Sequence, residues 1–173
     1  MFGRKPKKKI RQFHTAQIKA VSGRRWQAGK VTLPHEGNFE FDFCFSSETV
    51  PPLTGGDKVY VSHYKILANI RTDTPGKPFD RQSAFCYGTF AALNGRIQDF
   101  GICEATDADG DVWWMEYRGN PDGSGGTYTS PYGTGKYEGM TVNGRYVGDP
   151  WPGTTRKEFF QGCNHNKGTY KLK

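Results

Sequence analysis

The stretch SAFCYGTFAALNGRIQDFGICEATDADGDVWWMEYR, residues 83–118, decides the fold. It contains three short runs rich in aromatic and apolar residues, separated by Asn94-Gly95 and Asp109-Gly110. Asn-Gly and Asp-Gly are the strongest signals of a two-residue β-hairpin turn, because both positions accept the positive φ of a type I′ turn. The stretch therefore predicts a three-stranded antiparallel meander.

The two turns also predict a register. A turn at Asn94-Gly95 places Cys86 opposite Cys103, in a non-hydrogen-bonded pair, which is the closer kind. A turn at Asp109-Gly110 places Met115 opposite Glu104, and Tyr117 opposite Ile102. One face of the meander then collects almost only large apolar or aromatic residues: Phe85, Tyr87, Phe100, Ile102, Glu104, Trp113, Met115 and Tyr117. Because a slip of one residue would reverse every side chain, the two turns together predict that this face points inward.

The rest of the chain has the same character. Phe39, Phe41, Phe43 and Phe45 alternate with other residues, which is the period of a strand with one apolar face. Further strand-like runs occur at fairly even spacing, over 13–21, 26–33, 58–70, 126–130, 145–147 and 157–161. A length of 173 residues suits one domain. We therefore expect an all-β chain that forms a small antiparallel barrel of about eight strands. A flexible basic tail is expected over 1–12, and a single barrel domain over 13–173.

Positive charge is concentrated at the front of the chain. Residues 1–30 contain ten Lys or Arg and no acidic residue; subtracting ten from the net charge of +7 leaves −3 for residues 31–173. Such a tail could attract nucleic acid or anionic lipid, but a solvated terminus is the favoured interpretation. Since a fold that binds nucleic acid should carry basic residues itself, we expect no nucleic acid to bind through the fold.

Membrane insertion is not expected either. No apolar run approaches the roughly 20 residues that a transmembrane helix needs. No apolar h-region follows the basic start, so a complete secretory signal is absent from the sequence. We therefore expect either a cytoplasmic protein or a mature exported form whose signal has been removed.

The four cysteines are Cys44, Cys86, Cys103 and Cys163, and no Cys-x-x-Cys occurs among them. A zinc site is therefore poorly supported. Cys86 and Cys103 would form a cross-strand disulfide in an oxidising compartment. In a reducing compartment they would remain two small residues of the buried type.

Two motifs that suggest a bound ion or nucleotide do not meet the requirements of those sites. An EF-hand starting at Asp107 would need Gly at its sixth position and Glu at its twelfth, where the chain has Val112 and Arg118. An acidic hairpin turn is the favoured interpretation. The sequence Gly133-Thr134-Gly135-Lys136 lacks the earlier Gly and the following Ser or Thr of a phosphate loop. The four histidines are scattered, and packed or hydrogen-bonded roles are favoured for them. No metal and no cofactor are expected.

Three segments in the second half of the chain carry a family resemblance. They are CEATDADGD over 103–111, GTGKYEGMT over 133–141 and GTYKL over 168–172. They resemble the allene oxide cyclase and dirigent-like barrel superfamily of small bacterial barrel proteins, over roughly residues 80–173. The resemblance implies a calycin-like barrel that holds apolar substrates in a central cavity. Some relatives are cyclases or isomerases, and others guide a coupling with little chemistry of their own. No family catalytic set matches this chain, so none is transferred.

The function predicted on this basis is binding of an apolar or aromatic small molecule in the barrel cavity, with cofactor-free isomerase or cyclase activity as an accompanying hypothesis. Glu104, Tyr87 and Tyr117 are the candidate catalytic residues. A carboxyl on an apolar wall has a raised pKa and can act as a general acid or base, and tyrosine hydroxyls can hold a substrate oxygen. The ligand-binding wall would consist of Phe85, Phe100, Ile102, Trp113 and Met115.

Several alternatives remain open at this stage. Glu104 could lie at the rim of the barrel in water, since it is near a strand end. The aromatic side chains could simply fill the barrel, which would then be a non-catalytic binding or interaction module. The basic tail could attach the protein to nucleic acid or a membrane. Trp114, predicted to point outward, needs a cover, either from a homo-oligomer contact or from the front segment of the chain.

Overall fold

The computed structural model describes residues 32–150, Arg156 and residues 159–173. The predicted basic tail, the predicted strand over 13–21 and most of that over 26–33 lie outside the described residues. The strands are β1 (Glu36–Thr49), β2 (Leu53–Gly55), β3 (Val59–Arg71), β4 (Gln82–Leu93), β5 (Arg96–Thr106), β6 (Val112–Gly119), β7 (Gly126–Thr129), β8 (Thr141–Pro150) and β9 (Phe159–Lys171). A short 3-10 turn, Gly135–Tyr137, precedes β8.

Eight of these strands form a closed antiparallel barrel. Their order is β1-β9-β8-β7-β6-β5-β4-β3, and β3 pairs back to β1. β2 is a short addition that pairs with the start of β3. The predicted all-β barrel is therefore confirmed, and within the described residues no helix is long and apolar enough to cross a membrane. The run predicted over 145–147 belongs to the longer strand β8, and residues 159–161 of the run predicted over 157–161 begin β9.

One end of the barrel, here called the packed end, is filled by large side chains. Phe79 lies at its centre, 4.7 Å from the ring of Trp113 and 5.2 Å from that of Phe39, measured between ring centroids. Gln82 accepts a hydrogen bond of 2.8 Å from the Trp113 indole and donates one of 2.8 Å to the Tyr137 hydroxyl. These bonds pair the buried polar atoms of Gln82 and Trp113 with each other and with the Tyr137 hydroxyl.

The predicted register between β4 and β5 is confirmed. Leu93 pairs with Arg96 and Cys86 pairs with Cys103. Asn94 and Gly95 both have positive φ, of 51° and 78°, as the type I′ turn requires.

The predicted register between β5 and β6 is wrong by one residue. Cys103, not Glu104, pairs with Met115, and Gly101, not Ile102, pairs with Tyr117. The cause is the connection, which is a five-residue loop over 107–111 instead of a two-residue turn at Asp109-Gly110. The Asp107 carboxylate accepts hydrogen bonds from the backbone N–H groups of Asp109 and Asp111 at 2.9 and 3.1 Å.

The predicted inward face is correct for β6 and wrong for β4 and β5. Trp113, Met115 and Tyr117 are buried, but Phe85, Tyr87, Phe100 and Ile102 are exposed on the outer surface. The inner positions of β4 and β5 hold small residues instead, among them Ala84, Cys86, Gly88, Gly101, Cys103 and Ala105. Since an eight-stranded barrel has little interior volume, large residues from some strands require small ones from others.

Candidate functional site

The end of the barrel opposite the packed end contains a cavity of about 710 Å³. That volume lies within the usual range of small-molecule sites. Most of the large side chains that line it are aromatic: Phe43, Phe45, Tyr60, Tyr64, Phe90, Tyr117, Tyr128, Tyr146, Phe159 and Phe160. A smaller set is polar: Ser47, Thr49, Ser62, Asp99, Asn120, Asp149, Asn164 and Asn166. An aromatic wall with a few polar groups favours an apolar or aromatic ligand that carries a polar substituent.

Two acidic residues line this wall, the exposed Asp149 of β8 and Asp99 of β5, and Asp99 is hydrogen-bonded to another residue of the cavity. The Tyr64 hydroxyl donates a hydrogen bond of 2.5 Å to Asp99 Oδ1. The Tyr117 hydroxyl lies 2.6 Å from the Tyr64 hydroxyl. A tyrosine has a single O–H donor. When Tyr64 donates to the ionised Asp99, Tyr117 must therefore donate to Tyr64, and the three groups form a directed chain that ends on a carboxylate. We call Asp99, Tyr64 and Tyr117 the acid–tyrosine cluster.

Burial controls the titration of this cluster. Desolvation raises the pKa of the Asp99 carboxyl above its ordinary value, and the hydrogen bond from Tyr64 only partly offsets this. Burial also raises the pKa of Tyr64 and of Tyr117, so both phenols keep their protons. Tyr146 lines the same cavity, and its burial together with the charge of Asp99 raises its pKa. A raised pKa makes the Asp99 carboxyl a better proton acceptor than an ordinary aspartate, which suits a general base.

Two glycines make room for the cluster. Tyr64 pairs with Gly88 on β4, Gly88 pairs with Gly101 on β5, and Gly101 pairs with Tyr117 on β6. A Cβ atom at Gly88 would overlap the phenols of both Tyr117 and Tyr64, and one at Gly101 would overlap that of Tyr117. The two phenols can therefore meet only because the strands between them carry no side chain at this level.

A third tyrosine has an unused hydroxyl. Tyr128 pairs with Tyr117 across β6 and β7 and also lines the cavity. Among the described residues, the Tyr128 hydroxyl is buried and finds no hydrogen-bond partner. A buried donor without a partner is costly, so a ligand oxygen that reached this hydroxyl would bind favourably.

Two disulfides join neighbouring strands around the cavity. Cys86–Cys103 lies on the inner wall, and both of its residues are buried. This pairing is the oxidised one of the two predicted states. Cys44–Cys163 joins β1 to β9. The sequence pattern did not indicate the second pair, because the two cysteines become neighbours only when the first and last strands of the barrel meet.

The sequence-predicted site residues are divided among three places. Met115 and Tyr117 line the cavity. Trp113 is fully buried in the packed end, where it bonds to Gln82. Phe85, Tyr87, Phe100 and Ile102 lie outside the barrel, and the Tyr87 side chain is 57% exposed. Glu104 is half-buried on the outer face, opposite Trp114. Glu104 therefore does not line the cavity, whereas Asp99 does.

Asp99 and Tyr64 were missed for a specific reason. Asp99 alternates with Gly101 and Cys103, which the sequence pattern assigned to the outer face. The available signal was the pairing of small residues, Gly88 with Gly101 and Cys86 with Cys103. Paired small residues beside a large aromatic strand are typical of a crowded barrel interior.

The acidic loop over 107–111, which resembles a calcium site in composition, holds a lysine instead. The Lys136 ammonium lies 2.5 Å from Asp107 Oδ2, 2.7 Å from Asp111 Oδ2 and 3.2 Å from Asp109 Oδ2. Desolvation lowers the pKa of Lys136, but the hydrogen bonds to these carboxylates outweigh it and raise the pKa overall. The loop is thus tied to the 3-10 turn at the packed end, away from the cavity.

Solved structures with this architecture are known. The pterocarpan synthase dirigent protein PsPTS1 superposes with a TM-score of 0.53 and 10% sequence identity, over 79% of this chain and 95% of that chain. The pterocarpan synthase dirigent protein GePTS1 superposes with a TM-score of 0.50 and 9% identity, over 82% of this chain and 89% of that chain. No protein-family model matches the sequence, and comparison with curated proteins finds no match. At such low identity the similarity shows the fold alone: the chain and these two proteins share a β-barrel architecture.

Proposed function

We propose that the protein binds an apolar or aromatic small molecule in the barrel cavity and holds a polar group of that molecule against the acid–tyrosine cluster. The observation that carries the proposal is a cavity of about 710 Å³ whose mostly aromatic wall contains one desolvated carboxyl. A non-catalytic barrel with a filled interior is disfavoured, because side chains fill only the packed end. The two dirigent proteins support the proposal at the level of the fold.

The cluster also favours a chemical role. The Asp99 carboxylate would remove a proton from one atom of the ligand, and the resulting Asp99 carboxylic acid would return it to another atom. Such an isomerisation or cyclisation needs no oxidant, reductant or cofactor, because the proton count is unchanged. Tyr64 and Tyr117 would hold the Asp99 carboxylate through their hydrogen-bond chain. The Tyr128 hydroxyl, which has no partner among the described residues, would donate a hydrogen bond to the charge that develops on a ligand oxygen. The apolar wall excludes water, which strengthens these interactions.

Binding can be tested before the ligand is known. Native mass spectrometry of the protein purified from its own host should show a retained small molecule. An environment-sensitive apolar dye should bind the purified protein at one site. Ile66 lines the cavity, whereas its neighbour Leu67 is 68% exposed on the outer face. We expect Ile66→Trp to reduce dye affinity about tenfold or more by filling the cavity, and the matched control Leu67→Trp to leave it unchanged. Equal effects of the two variants would contradict the proposal.

The role of the carboxyl has its own test and control. Once a retained ligand is identified, we expect Asp99→Asn to reduce turnover by about 100-fold or more, which is typical of a lost general acid or base. Apolar dye binding should survive this substitution. Glu104→Gln removes the same charge on the outer face and should leave turnover unchanged. If Glu104→Gln abolished turnover and Asp99→Asn did not, the assignment of the carboxyl would be wrong.

A further inference from the structure

The cavity wall is one-sided in its charge. Its ionisable side chains other than tyrosine are two aspartates, the hydrogen-bonded Asp99 and the exposed Asp149. No Lys, Arg or His is found among the described residues that line the cavity. The faces of the many aromatic rings in this wall are also electronegative. The described wall therefore has no counter-ion for a carboxylate or a phosphate, whereas a cation would meet favourable partners.

One oxygen of Asp99 is available to a ligand. Asp99 Oδ1 accepts the hydrogen bond from Tyr64, but no group of the described residues donates a hydrogen bond to Oδ2. Oδ2 lies 3.5 Å from the place where a Cβ atom on Gly119 would be, and Gly119 itself lines the cavity. Because Gly119 has no side chain, nothing from β6 covers Oδ2. A carboxylate oxygen accepts up to two hydrogen bonds, so Oδ2 can receive a donor from the ligand.

Aromatic rings stand on both sides of this oxygen. Phe90 of β4 pairs directly with Asp99, which places their Cβ atoms about 5 Å apart. On the other side, Gly119 pairs with Gly126 of β7, and Gly126 pairs with Tyr146 of β8. A Cβ atom on Gly126 would overlap the Tyr146 ring, so this phenol reaches over β7 towards Asp99. The charge of Asp99 is near enough to raise the pKa of Tyr146.

We propose that the ligand of this cavity is an apolar or aromatic amine, whose ammonium group pairs with Asp99 Oδ2 between the rings of Phe90 and Tyr146. The inference rests on the binding part of the proposed function and does not depend on the proton transfer proposed there. An ammonium N–H donates a charge-assisted hydrogen bond to a carboxylate. The faces of the two rings attract the same positive charge.

The surroundings of Asp99 favour an ammonium group over a neutral donor. Asp99 is desolvated, and no cation of the described residues acts on its carboxyl. A ligand hydroxyl could donate a hydrogen bond to Oδ2, but it would leave the negative charge uncompensated. A buried carboxylate is stabilised far more by a partner of opposite charge. A ligand carboxylate would be repelled instead.

Three probes with the same ring and a one-carbon linker test the proposal. They are naphthalen-2-ylmethylammonium, naphthalene-2-methanol and naphthalene-2-acetate, which end in an ammonium, a hydroxyl and a carboxylate. Isothermal titration of the full chain at pH 7 and displacement of the apolar dye give their dissociation constants. We expect the ammonium probe to bind about tenfold or more tightly than the hydroxyl probe, and the carboxylate probe to bind most weakly. This ranking requires no variant of the protein.

A pair of variants then locates the preference. In Asp99→Asn, we expect the dissociation constants of the ammonium and hydroxyl probes to lie within about twofold of each other, because the charge that distinguishes them is gone. Asp149→Asn removes the exposed aspartate of the same wall and should keep the preference, since solvent screens that charge. Binding of the apolar dye shows that the cavity has formed in both variants.

The outcomes separate this inference from the proposed function. If the parent chain binds the dye but the ammonium probe binds no better than the hydroxyl probe, the amine class is wrong and the binding function stands. If neither the dye nor any probe binds the parent chain, the proposed function fails and the inference fails with it. A preference that survives in Asp99→Asn, or that is lost equally in Asp149→Asn, would overturn the pairing with Asp99.

Discussion

The hydroxyls of Tyr64 and Tyr117 meet at 2.6 Å although β4 and β5 lie between their strands. The phenols reach each other over Gly88 and Gly101, which pair directly at the same level of the barrel. The large side chains of β3 and β6 thus fit at this level because β4 and β5 carry no side chain there. Asp99 lies two residues from Gly101 on the same face of β5. Its carboxylate accepts the last hydrogen bond of the chain, from the Tyr64 hydroxyl.

This arrangement predicts a large effect of one added methyl group. In Gly101→Ala the new Cβ would overlap the Tyr117 hydroxyl and the backbone oxygen of Tyr87. We expect a loss of about 1–3 kcal/mol in the free energy of unfolding, because backbone atoms cannot move aside easily. Gly148→Ala is the control, since its Cβ would make only an ordinary contact of 3.4 Å with Asn164. Urea denaturation of both variants checks this, and similar losses would contradict it.

The raised pKa of Asp99 predicts how stability depends on pH. The folded-state pKa exceeds the unfolded value of about 3.9. The folded state therefore binds more protons between these two values. The contribution of Asp99 to the free energy of unfolding is fully present below the unfolded pKa and is lost as pH rises through the folded pKa. The free energy of unfolding should therefore decline over this pH range, and we expect Asp99→Asn to remove the part of that decline that Asp99 causes. Unfolding free energies measured from pH 4 to 8 for the parent chain, Asp99→Asn and Glu104→Gln would test this prediction. Three parallel curves would contradict a raised pKa of Asp99 in the folded state.

The two disulfides should contribute unequally to stability. Cys44–Cys163 spans 119 residues and Cys86–Cys103 spans 17. A chain-entropy estimate for loops of these lengths gives about 5 and about 3 kcal/mol. We expect C44A/C163A to lower the unfolding free energy more than C86A/C103A does. Peptide mapping under non-reducing conditions should first show these two pairs, and any other pairing would contradict the structure.

Lys136 should stabilise the loop between β5 and β6. Lys136→Met would leave three carboxylates close together without their cation, so we expect a loss of about 1–3 kcal/mol. Lys167→Met removes an exposed lysine from β9 and should have little effect. Thermal unfolding of both variants provides the comparison. If Lys136→Met lost no more stability than the control, solvent would already screen the three carboxylates of the loop from one another, and the prediction would be wrong.

Local chemistry made part of this fold predictable. The Asn94-Gly95 turn determined the β4–β5 register and placed Cys86 opposite Cys103, because turn geometry and alternation act over a few residues. The same kind of inference went wrong at Asp109-Gly110. There the Asp107 carboxylate closes a five-residue loop in place of a two-residue turn. Lys136, which a distant part of the chain supplies, then pairs with the carboxylates of that loop.

The sequence by itself determined that the chain forms a β-barrel and that two faces of residues 83–118 differ in character. Only the tertiary structure decided which face of β4 and β5 points inward. Alternation is symmetric: it separates two sets of side chains without stating which set is enclosed. Closure of the barrel limits its interior volume, and aromatic side chains of β1, β3 and β6 occupy much of that volume. The small residues of β4 and β5 therefore turn inward, Asp99 turns inward with them, and the large residues of these two strands lie on the outer surface.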